Sequence, residues 1–258
     1  MSSILTETLN QVLKITLNRP DKFNSFNREM ALALQATLDA AASDKNIRCI
    51  LITGQGKAFC AGQDLSEAID PSGPGIKNIV EEHYNPIIQK IRNIEKPIVC
   101  AVNGVAAGAG ANIALACDVV IAAAGASFLQ AFSKIALIPD SGGTFFLPRL
   151  IGFGKASALM MLGDKVPAAE AEKLGMIYKV CEDANLQTEA ATIANTLAAM
   201  PTKGLGLTKR LLNLSMSNNL TQQLTAEGKE QVVAASTADY KEGVSAFLEK
   251  RKPLFKGE

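Results

Sequence analysis

Asp140 is the side chain whose type and setting best suit acid–base chemistry in this sequence. It is the only carboxylate between Asp118 and Asp164, and it directly follows the apolar run at residues 135–139. Poor solvation disfavours a charged carboxyl group, so we expect the pKa of Asp140 to be raised towards the range that suits proton transfer. The alternative is that Asp140 caps a helix beginning near Ser141, because Asp is among the preferred N-cap residues. The rest of the chain favours the catalytic role.

Two turns of small residues, 59–65 and 108–111, each follow a predicted strand. Small side chains let a ligand approach the backbone, and free N–H groups at the start of a helix can donate to a developing negative oxygen. Two such turns can build an oxyanion hole. Taken singly, each glycine has a simpler explanation, which is that it closes a tight turn or lets a helix pack on a strand.

Several other chemistries lack their residues. The sequence has one histidine, His83, whose polar neighbours predict a position on a helix surface, and it has no Gly-x-Ser-x-Gly motif, so a serine hydrolase is disfavoured. Clusters of Cys and His that would hold zinc are missing. The glycines at residues 104–110 do not match the G-x-G-x-x-G spacing, which disfavours a nicotinamide or flavin. We therefore predict neither a metal nor a cofactor.

Composition limits the partners. The 258 residues suit one large α/β domain or a core with a small appendage. With 26 Lys and Arg against 25 Asp and Glu, the net charge of +1 gives no field that would recruit nucleic acid or an anionic membrane.

The five cysteines show no C-x-x-C spacing, and residues 1–7 lack a signal-peptide pattern, so we expect reduced, buried thiols and a cytoplasmic protein.

The pattern of apolar residues predicts an α/β fold. Residues 13–17 alternate as in a half-buried strand. Asn27 can cap a helix whose inward face is formed by Met30, Leu34, Thr37, Leu38 and Ala41. Short β-branched runs at residues 47–53, 98–102 and 119–123 are typical of strands buried on both faces. Their interleaving with helical stretches predicts an α/β core with largely parallel strands.

After Gly152 the pattern becomes mainly helical. One further strand is predicted at residues 176–180, and the last helix is predicted from about Ala238 to Arg251.

Three motifs carry a resemblance to a known family. They are Ala-Gly-Gln-Asp-Leu at residues 61–65, Ala-Val-Asn-Gly-Val-Ala-Ala-Gly-Ala-Gly at 101–110, and Ile-Pro-Asp-Ser-Gly-Gly-Thr at 138–144. In this order and spacing they resemble the motifs of the enoyl-CoA hydratase/isomerase (crotonase) superfamily, and the likeness extends over nearly the whole chain. The resemblance implies a crotonase-like spiral of ββα units with a C-terminal helical appendage.

The resemblance also implies a domain organisation and a substrate. Residues 1–200 would form the spiral core, and residues 201–258 would form a helical region that takes part in trimerisation and covers the CoA pocket. The assembly would be a homotrimer or a dimer of trimers. The substrate would be an acyl-CoA thioester, so that coenzyme A is part of the substrate and no separate cofactor is needed.

Site residues follow from the same resemblance, position by position. The N–H groups of Ala61 and Ala109 match the two oxyanion-hole donors. Residues that match substrate contacts are Lys22, Phe23 and Ser25 at the CoA nucleotide, Gln63, Asp64, Leu65 and Gly108 in the acyl-binding turns, Phe132 and Pro139 near the reacting group, and Phe247 and Lys250 in the tail, which commonly reach the CoA of a neighbouring subunit.

Departures from the hydratase pattern point to a different reaction. The two glutamates that activate water in hydratases are replaced by Asn112 and Phe132, and neither side chain can act as a general base. Asp140 stands where hydratases usually have glycine, as in family members that isomerise. Within the family the likeness extends to members of phenylacetate degradation that convert ring 1,2-epoxyphenylacetyl-CoA to oxepin-CoA.

Two alternatives stay open at this point. One is a dedicated Δ3,Δ2-enoyl-CoA isomerase of fatty-acid oxidation, which would use the same polarised thioester and the same acid. The other is a non-catalytic scaffold that binds acyl-CoA. An RNA-binding member of the fold would need a basic stripe, and the basic run at residues 250–252 is short.

Overall fold

The strands of the protein form two sheets in the computed structural model, which describes residues 2–258. One sheet has six strands and the other has four. In their spatial order, the strands of the larger sheet are β1 (Ile4–Leu9), β2 (Val12–Leu17), β3 (Cys49–Gly54), β5 (Ile98–Val102), β7 (Val119–Ala123) and β10 (Lys179–Cys181). Those of the smaller sheet are β4 (Ala58–Cys60), β6 (Val105–Ala107), β8 (Ser127–Leu129) and β9 (Lys165–Pro167).

The chain places successive strands in alternate sheets. After β3 it crosses to β4, after β5 to β6, and after β7 to β8, and the neighbours within each of these two sets pair in parallel. Helices connect one strand pair to the next. This repeated ββα path is the predicted spiral, and the predicted α/β class is confirmed.

The core of the larger sheet explains why the buried strands could be found in the sequence. Every residue of β3 and β5 is buried, because helices and the second sheet cover both faces. Such strands are continuous apolar runs rather than alternating ones. The predicted strands at 98–102 and 119–123 match β5 and β7 in both bounds.

The first long helix also forms as predicted. Asn27 Oδ1 accepts a hydrogen bond of 3.0 Å from the Met30 N–H, which satisfies one of the free donors at the start of α1. The helices are α1 (Arg28–Ser43), α2 (Leu65–Ala68), α3 (Gly75–Asn78), α4 (Asn85–Asn93), α5 (Ala109–Leu115), α6 (Gly143–Ile151), α7 (Phe153–Leu162), α8 (Ala168–Lys173), α9 (Leu186–Ala199), α10 (Thr202–Ser215), α11 (Leu220–Ala235) and α12 (Ala238–Leu248). A π-helical turn, Ile79–Tyr84, precedes α4, and 3₁₀ turns lie at Pro20–Lys22, Ala131–Ile135 and Asp183–Asn185.

The C-terminal helices are joined to the core by charged groups. Lys209 on α10 is buried, and its Nζ lies 2.8 Å from the Asp118 carboxylate at the start of β7. Asp118 itself is exposed and also forms an ion pair of 3.0 Å with Arg92 on α4. The division at residue 200 and the part of residues 201–258 in trimer formation stay predictions.

Three sequence-based expectations need correction. His83 is fully buried rather than on a helix surface, because it lies in the π-helical turn and faces α1, where Nε2 is 3.2 Å from Arg28 Nη1. The strand predicted at residues 176–180 is only Lys179–Cys181. Four of the five cysteines are buried and all five are free thiols, but Cys181 is only half-buried.

Within residues 2–258, no helix has the length and apolar character needed to cross a membrane.

Candidate active site

Three parallel strands of the smaller sheet end at one cavity. β4, β6 and β8 lie side by side, so their carboxyl ends share an edge of the sheet, which is where ligands bind in open α/β sheets. The segments that follow them enclose a cavity of about 230 Å³. Its lining consists of Ala61, Gly62, Gln63, Leu65, Ala68, Ile76, Ile79, Val80, Gly108, Ala109, Ala131, Phe132, Lys134, Ile135, Leu137 and Asp140.

The two small-residue turns meet on the cavity wall. A Cβ on Gly62 would lie 3.0 Å from the Ala107 carbonyl oxygen and 3.5 Å from the Ala109 nitrogen, and Gly62 has a φ of +90°, so this position requires glycine. Ala109 is the first residue of α5, where an N–H group has no acceptor within the helix. The structure thus brings the turn at residues 61–64 and the start of α5 together, as the sequence predicts.

The donor on the first turn differs from the predicted one. The Ala61 N–H donates to the Phe23 carbonyl oxygen at 3.0 Å, so it is not available to a ligand. The Gln63 N–H, two residues further on, has no acceptor within residues 2–258 and belongs to a residue that lines the cavity. The structure therefore contradicts Ala61 as a free donor, and the free N–H group on this turn is that of Gln63. The sequence could not reveal this, because the acceptor of Ala61 comes from a distant loop.

Asp140 lies on the cavity wall and is half-buried. Burial raises the pKa of its carboxyl group, and a hydrogen bond of 2.9 Å from the Ser141 hydroxyl to Oδ1 partly opposes this. The expected direction is confirmed, although Ile138 in the apolar run before Asp140 is 81% exposed and only Ile135 and Leu137 of that run line the cavity. The capping alternative is wrong, because α6 begins at Gly143 and no side chain caps it.

Asn112 and Phe132 are the residues that the resemblance aligns with the two glutamates of hydratases. Asn112 is buried, and its Nδ2 donates to the Asp140 carbonyl oxygen at 2.8 Å while its Oδ1 accepts from Gln130 Nε2 at 2.7 Å. The Phe132 ring is also buried and packs beside Gly108, where an added Cβ would lie 3.6 Å from Cζ. Asp140 is consequently the only carboxylate among the lining residues.

The side chain of Gln63 is held at both ends. Its Oε1 accepts from the Tyr84 hydroxyl at 2.9 Å, and its Nε2 donates to Glu67 at 3.0 Å. Burial raises the pKa of Tyr84 well above its ordinary value, so the hydroxyl stays protonated. Sequence reasoning missed the Tyr84 contact, because nothing in the local pattern pairs residues 21 positions apart. It also missed the Glu67 contact, although Glu67 is only four positions from Gln63.

Other predicted site residues have different surroundings. Leu65 lines the cavity, but the Asp64 carboxylate turns to Arg19, with which it forms an ion pair of 2.8 Å, and to the Ser66 hydroxyl. These contacts hold the pKa of Asp64 below its usual range, and they make Asp64 a support of the turn rather than part of the lining. Pro139 is half-buried next to Asp140 and lies outside the lining.

The residues predicted to bind CoA lie outside the cavity. Lys22 and Phe23 are exposed in the loop whose carbonyl oxygen holds Ala61, while Ser25 is buried there. Phe247 and Lys250 are exposed at the end of α12, and Phe247 lines a separate depression of about 400 Å³ with residues of α10, α11 and α12. Within this chain the structure does not bring the tail residues to the cavity.

Comparison with known proteins places the chain in a family. Residues 7–258 match the family model described as enoyl-CoA hydratase/isomerase, and the chain belongs to that family. It is 48% identical to the 1,2-epoxyphenylacetyl-CoA isomerase of Escherichia coli (strain K12), with 100% of both chains covered.

Two further relatives support the fold and the family. The trans-2-decenoyl-[acyl-carrier-protein] isomerase of Streptococcus mutans is 35% identical, with 99% of this chain and 98% of the relative covered. The crystal structure of an enoyl-CoA hydratase from Bacillus anthracis superposes with a TM-score of 0.93 at 34% identity and covers 99% of this chain and 100% of its own. The predicted crotonase-like spiral is therefore confirmed.

Proposed function

We propose that this protein is an isomerase of acyl-CoA thioesters that moves a carbon–carbon double bond into conjugation with the thioester, with Asp140 as its acid and base. The observation that supports this most strongly is that Asp140 is the only carboxylate on a cavity wall that also presents the N–H groups of Gln63 and Ala109. A hydratase needs a second group that holds water, and here Asn112 and Phe132 occupy those positions.

The reaction would begin with polarisation of the thioester. Its carbonyl oxygen would accept from the Gln63 and Ala109 N–H groups, which stabilise the negative charge of an enolate. The carboxylate of Asp140 would remove a proton from the carbon next to the carbonyl, and the electron pair would spread over the adjacent double bond. Returning the same proton two carbons further on gives the conjugated product and the original carboxylate. No water or electron acceptor is consumed.

Burial of Asp140 suits both halves of this shuttle. A carboxyl group whose pKa is raised is a stronger base when ionised and holds the proton more firmly during the transfer. The apolar lining, which includes Phe132 and Leu137, would keep water away from the enolate.

For the substrate we propose ring 1,2-epoxyphenylacetyl-CoA, with oxepin-CoA as the product. An arene epoxide and its oxepin interconvert when the carbon–carbon bond shared with the epoxide breaks. The oxepin then carries a ring double bond one carbon removed from conjugation with the thioester, so the same proton shift by Asp140 completes the reaction. The printed name of the Escherichia coli relative supports this substrate.

A linear 3-enoyl-CoA is the second candidate substrate. It needs the same proton shift, and the Streptococcus mutans relative is named as an isomerase of a linear decenoyl chain. A panel of the aromatic epoxide and linear 3-enoyl thioesters, followed by mass spectrometry, would rank the two. A protein that bound both thioesters and converted neither would be a scaffold.

A substitution at Asp140 tests the reaction class. Asp140→Asn keeps the shape of the side chain and removes the base, so isomerase turnover should fall by about 100-fold or more, in the range of general acid–base contributions. The exposed Asp164→Asn is the matched control and should retain wild-type turnover. Near-normal isomerisation by Asp140→Asn would overturn the proposal, and so would hydration of crotonyl-CoA at a rate comparable to isomerisation.

For the assembly we propose a cytoplasmic homotrimer or dimer of trimers. The exposed side chains of Phe247 and Lys250 lie away from the cavity of their own chain, as expected if they reach the CoA of a neighbouring copy. The mass of the assembly in solution by light scattering tests this, and a monomeric active enzyme would contradict it.

A further inference from the structure

Two side chains that have no role in the proposed reaction form hydrogen bonds with Asp140. Asn112 Nδ2 donates to the Asp140 carbonyl oxygen at 2.8 Å, and the Ser141 hydroxyl donates to Oδ1 at 2.9 Å. Among residues 2–258, no other residue forms a hydrogen bond with the second carboxylate oxygen, Oδ2. The two oxygens of the carboxylate are therefore in different surroundings.

The orientation of the Asn112 amide follows from its partners. A backbone carbonyl can only accept, so Nδ2 must face Asp140 and Oδ1 must face Gln130, whose Nε2 donates at 2.7 Å. In this arrangement Gln130 Oε1 is buried without a partner within the described residues.

The backbone after Asp140 is strained at the same place. Ser141 is buried and has a φ of +51°, a left-handed conformation that residues other than glycine rarely adopt, and Gly142 follows with a φ of +73°. These two residues reverse the chain between Asp140 and α6. A glycine at residue 141 would remove the strain, but it would also remove the hydroxyl that reaches Asp140.

We propose that Asn112 and Ser141 are positioning residues that fix the Asp140 carboxylate with Oδ1 engaged, so that the proton is transferred through Oδ2. This proposal rests on the proposed function. Asn112 stands one helical turn after Ala109 on α5. The helix that carries one oxyanion donor therefore also fixes the position of the Asp140 backbone through Asn112. Ser141 then sets the rotation of the carboxylate.

The charged and titratable groups around Asp140 are few. Tyr84, on the π-helical turn, is close enough for the Asp140 charge to raise its pKa further, and it stays protonated. Lys134, in the 3₁₀ turn after β8, is an exposed residue on the rim of the cavity. The Ser141 hydroxyl favours the charged carboxylate and lowers the pKa of Asp140, against the larger effect of burial.

The test compares pH profiles of kcat/KM for the wild type, Ser141→Ala and Ser141→Gly. The base must be ionised, so activity is lost as the pH falls through the pKa of Asp140. Without the hydroxyl that pKa rises, and the acid limb should move to higher pH by the same amount in both variants. Because only glycine relieves the strained φ, equal shifts attribute the effect to the hydroxyl. The exposed Ser217→Ala is the control, and its acid limb should not move.

Asn112→Ala gives a second readout. It should lower kcat by about 100-fold, as expected for a small misplacement of a reacting group, with little change in KM for the thioester. Thermal melting shows whether the variant is folded. If Asn112→Ala is unfolded, the pH profiles of Ser141→Ala and Ser141→Gly still test the proposal.

The outcomes separate this proposal from the proposed function. An acid limb that stays in place in both Ser141 variants overturns the positioning proposal, as does a folded Asn112→Ala with wild-type kcat, while inactivity of Asp140→Asn would still support the function. Full activity of Asp140→Asn overturns both.

Discussion

The buried hydroxyl of Tyr84 donates a hydrogen bond of 2.9 Å to Oε1 of Gln63. The direction of this bond is fixed, because Glu67 can only accept and therefore takes the Nε2 end of the same amide, at 3.0 Å. Glu67 in turn accepts the Arg28 N–H at the start of α1, at 2.9 Å. The side chain next to the free Gln63 N–H is thus tied to two separate helical segments.

Replacing Tyr84 tests this connection. Tyr84→Phe keeps the edge-on contact with Phe26, whose ring centroid is 6.0 Å away, but it leaves the Gln63 acceptor without its donor. We expect a loss of about 1–3 kcal/mol in the free energy of unfolding, as for other unsatisfied buried groups. The value of kcat should fall by less than the roughly 100-fold that follows loss of an oxyanion donor itself. Denaturant unfolding and steady-state kinetics measure the two effects.

The exposed Tyr178→Phe is the control for that substitution and should behave as the wild type. Unchanged stability and kcat in Tyr84→Phe would show that the hydroxyl does not support the turn.

Gly110 is required by the contact between α5 and β4. A Cβ at this position would lie 2.5 Å from the Cys60 carbonyl oxygen and 2.7 Å from its Sγ. We expect Gly110→Ala to destabilise the fold by about 1–3 kcal/mol, as overpacking does. Activity should also fall, because α5 carries Ala109 and Asn112.

Gly154→Ala is the matched control for Gly110→Ala. Gly154 lies in α7 with no atom within 4 Å of an added Cβ, so alanine should stabilise the helix by about 0.5–1 kcal/mol. Chemical denaturation of both variants gives the comparison. Equal effects at the two positions would contradict the packing of α5 on β4.

The buried carboxylate of Asp140 should lower the free energy of unfolding at neutral pH. Because burial raises the pKa of Asp140, its ionised form is unfavourable in the folded state, and stability is lost as the pH rises from the unfolded pKa through the folded one. Asp140→Asn removes this titration and still accepts from Ser141. The variant should therefore melt at a higher temperature than the wild type at neutral pH, with a smaller difference near the ordinary Asp pKa of about 3.9. A variant less stable than the wild type at neutral pH would contradict the direction of the pKa shift.

The strands and helices that could be predicted are those whose burial is set locally. Residues 98–102 and 119–123 are apolar on both faces, and Asn27 caps α1 through a contact three residues away. β1 (Ile4–Leu9) escaped prediction, because it is an edge strand with five of six residues exposed and so carries no buried periodicity. The π-helical turn was missed for a related reason. It rotates His83 inward, whereas its neighbours Glu81 and Glu82 suggest a surface.

The site was predicted in its composition but not in its hydrogen bonding. The resemblance to the family indicated that Asp140 and the two small-residue turns belong to one site, and the structure brings them to one cavity. Whether an N–H group is free depends on distant acceptors. The Phe23 carbonyl oxygen accepts the hydrogen bond of the Ala61 N–H, and the ion pair with Arg19 holds the Asp64 carboxylate away from the cavity.

The central claim is that one carboxylate, Asp140, carries a proton between two carbons of the thioester. The most direct measurement follows a substrate labelled with deuterium next to the thioester carbonyl, with products read by mass spectrometry and NMR. We predict that part of the label appears two carbons further along in the wild-type product, and that both transfer and loss of label are slower by about 100-fold or more with Asp140→Asn. Label transfer at the wild-type rate in Asp140→Asn would contradict the account.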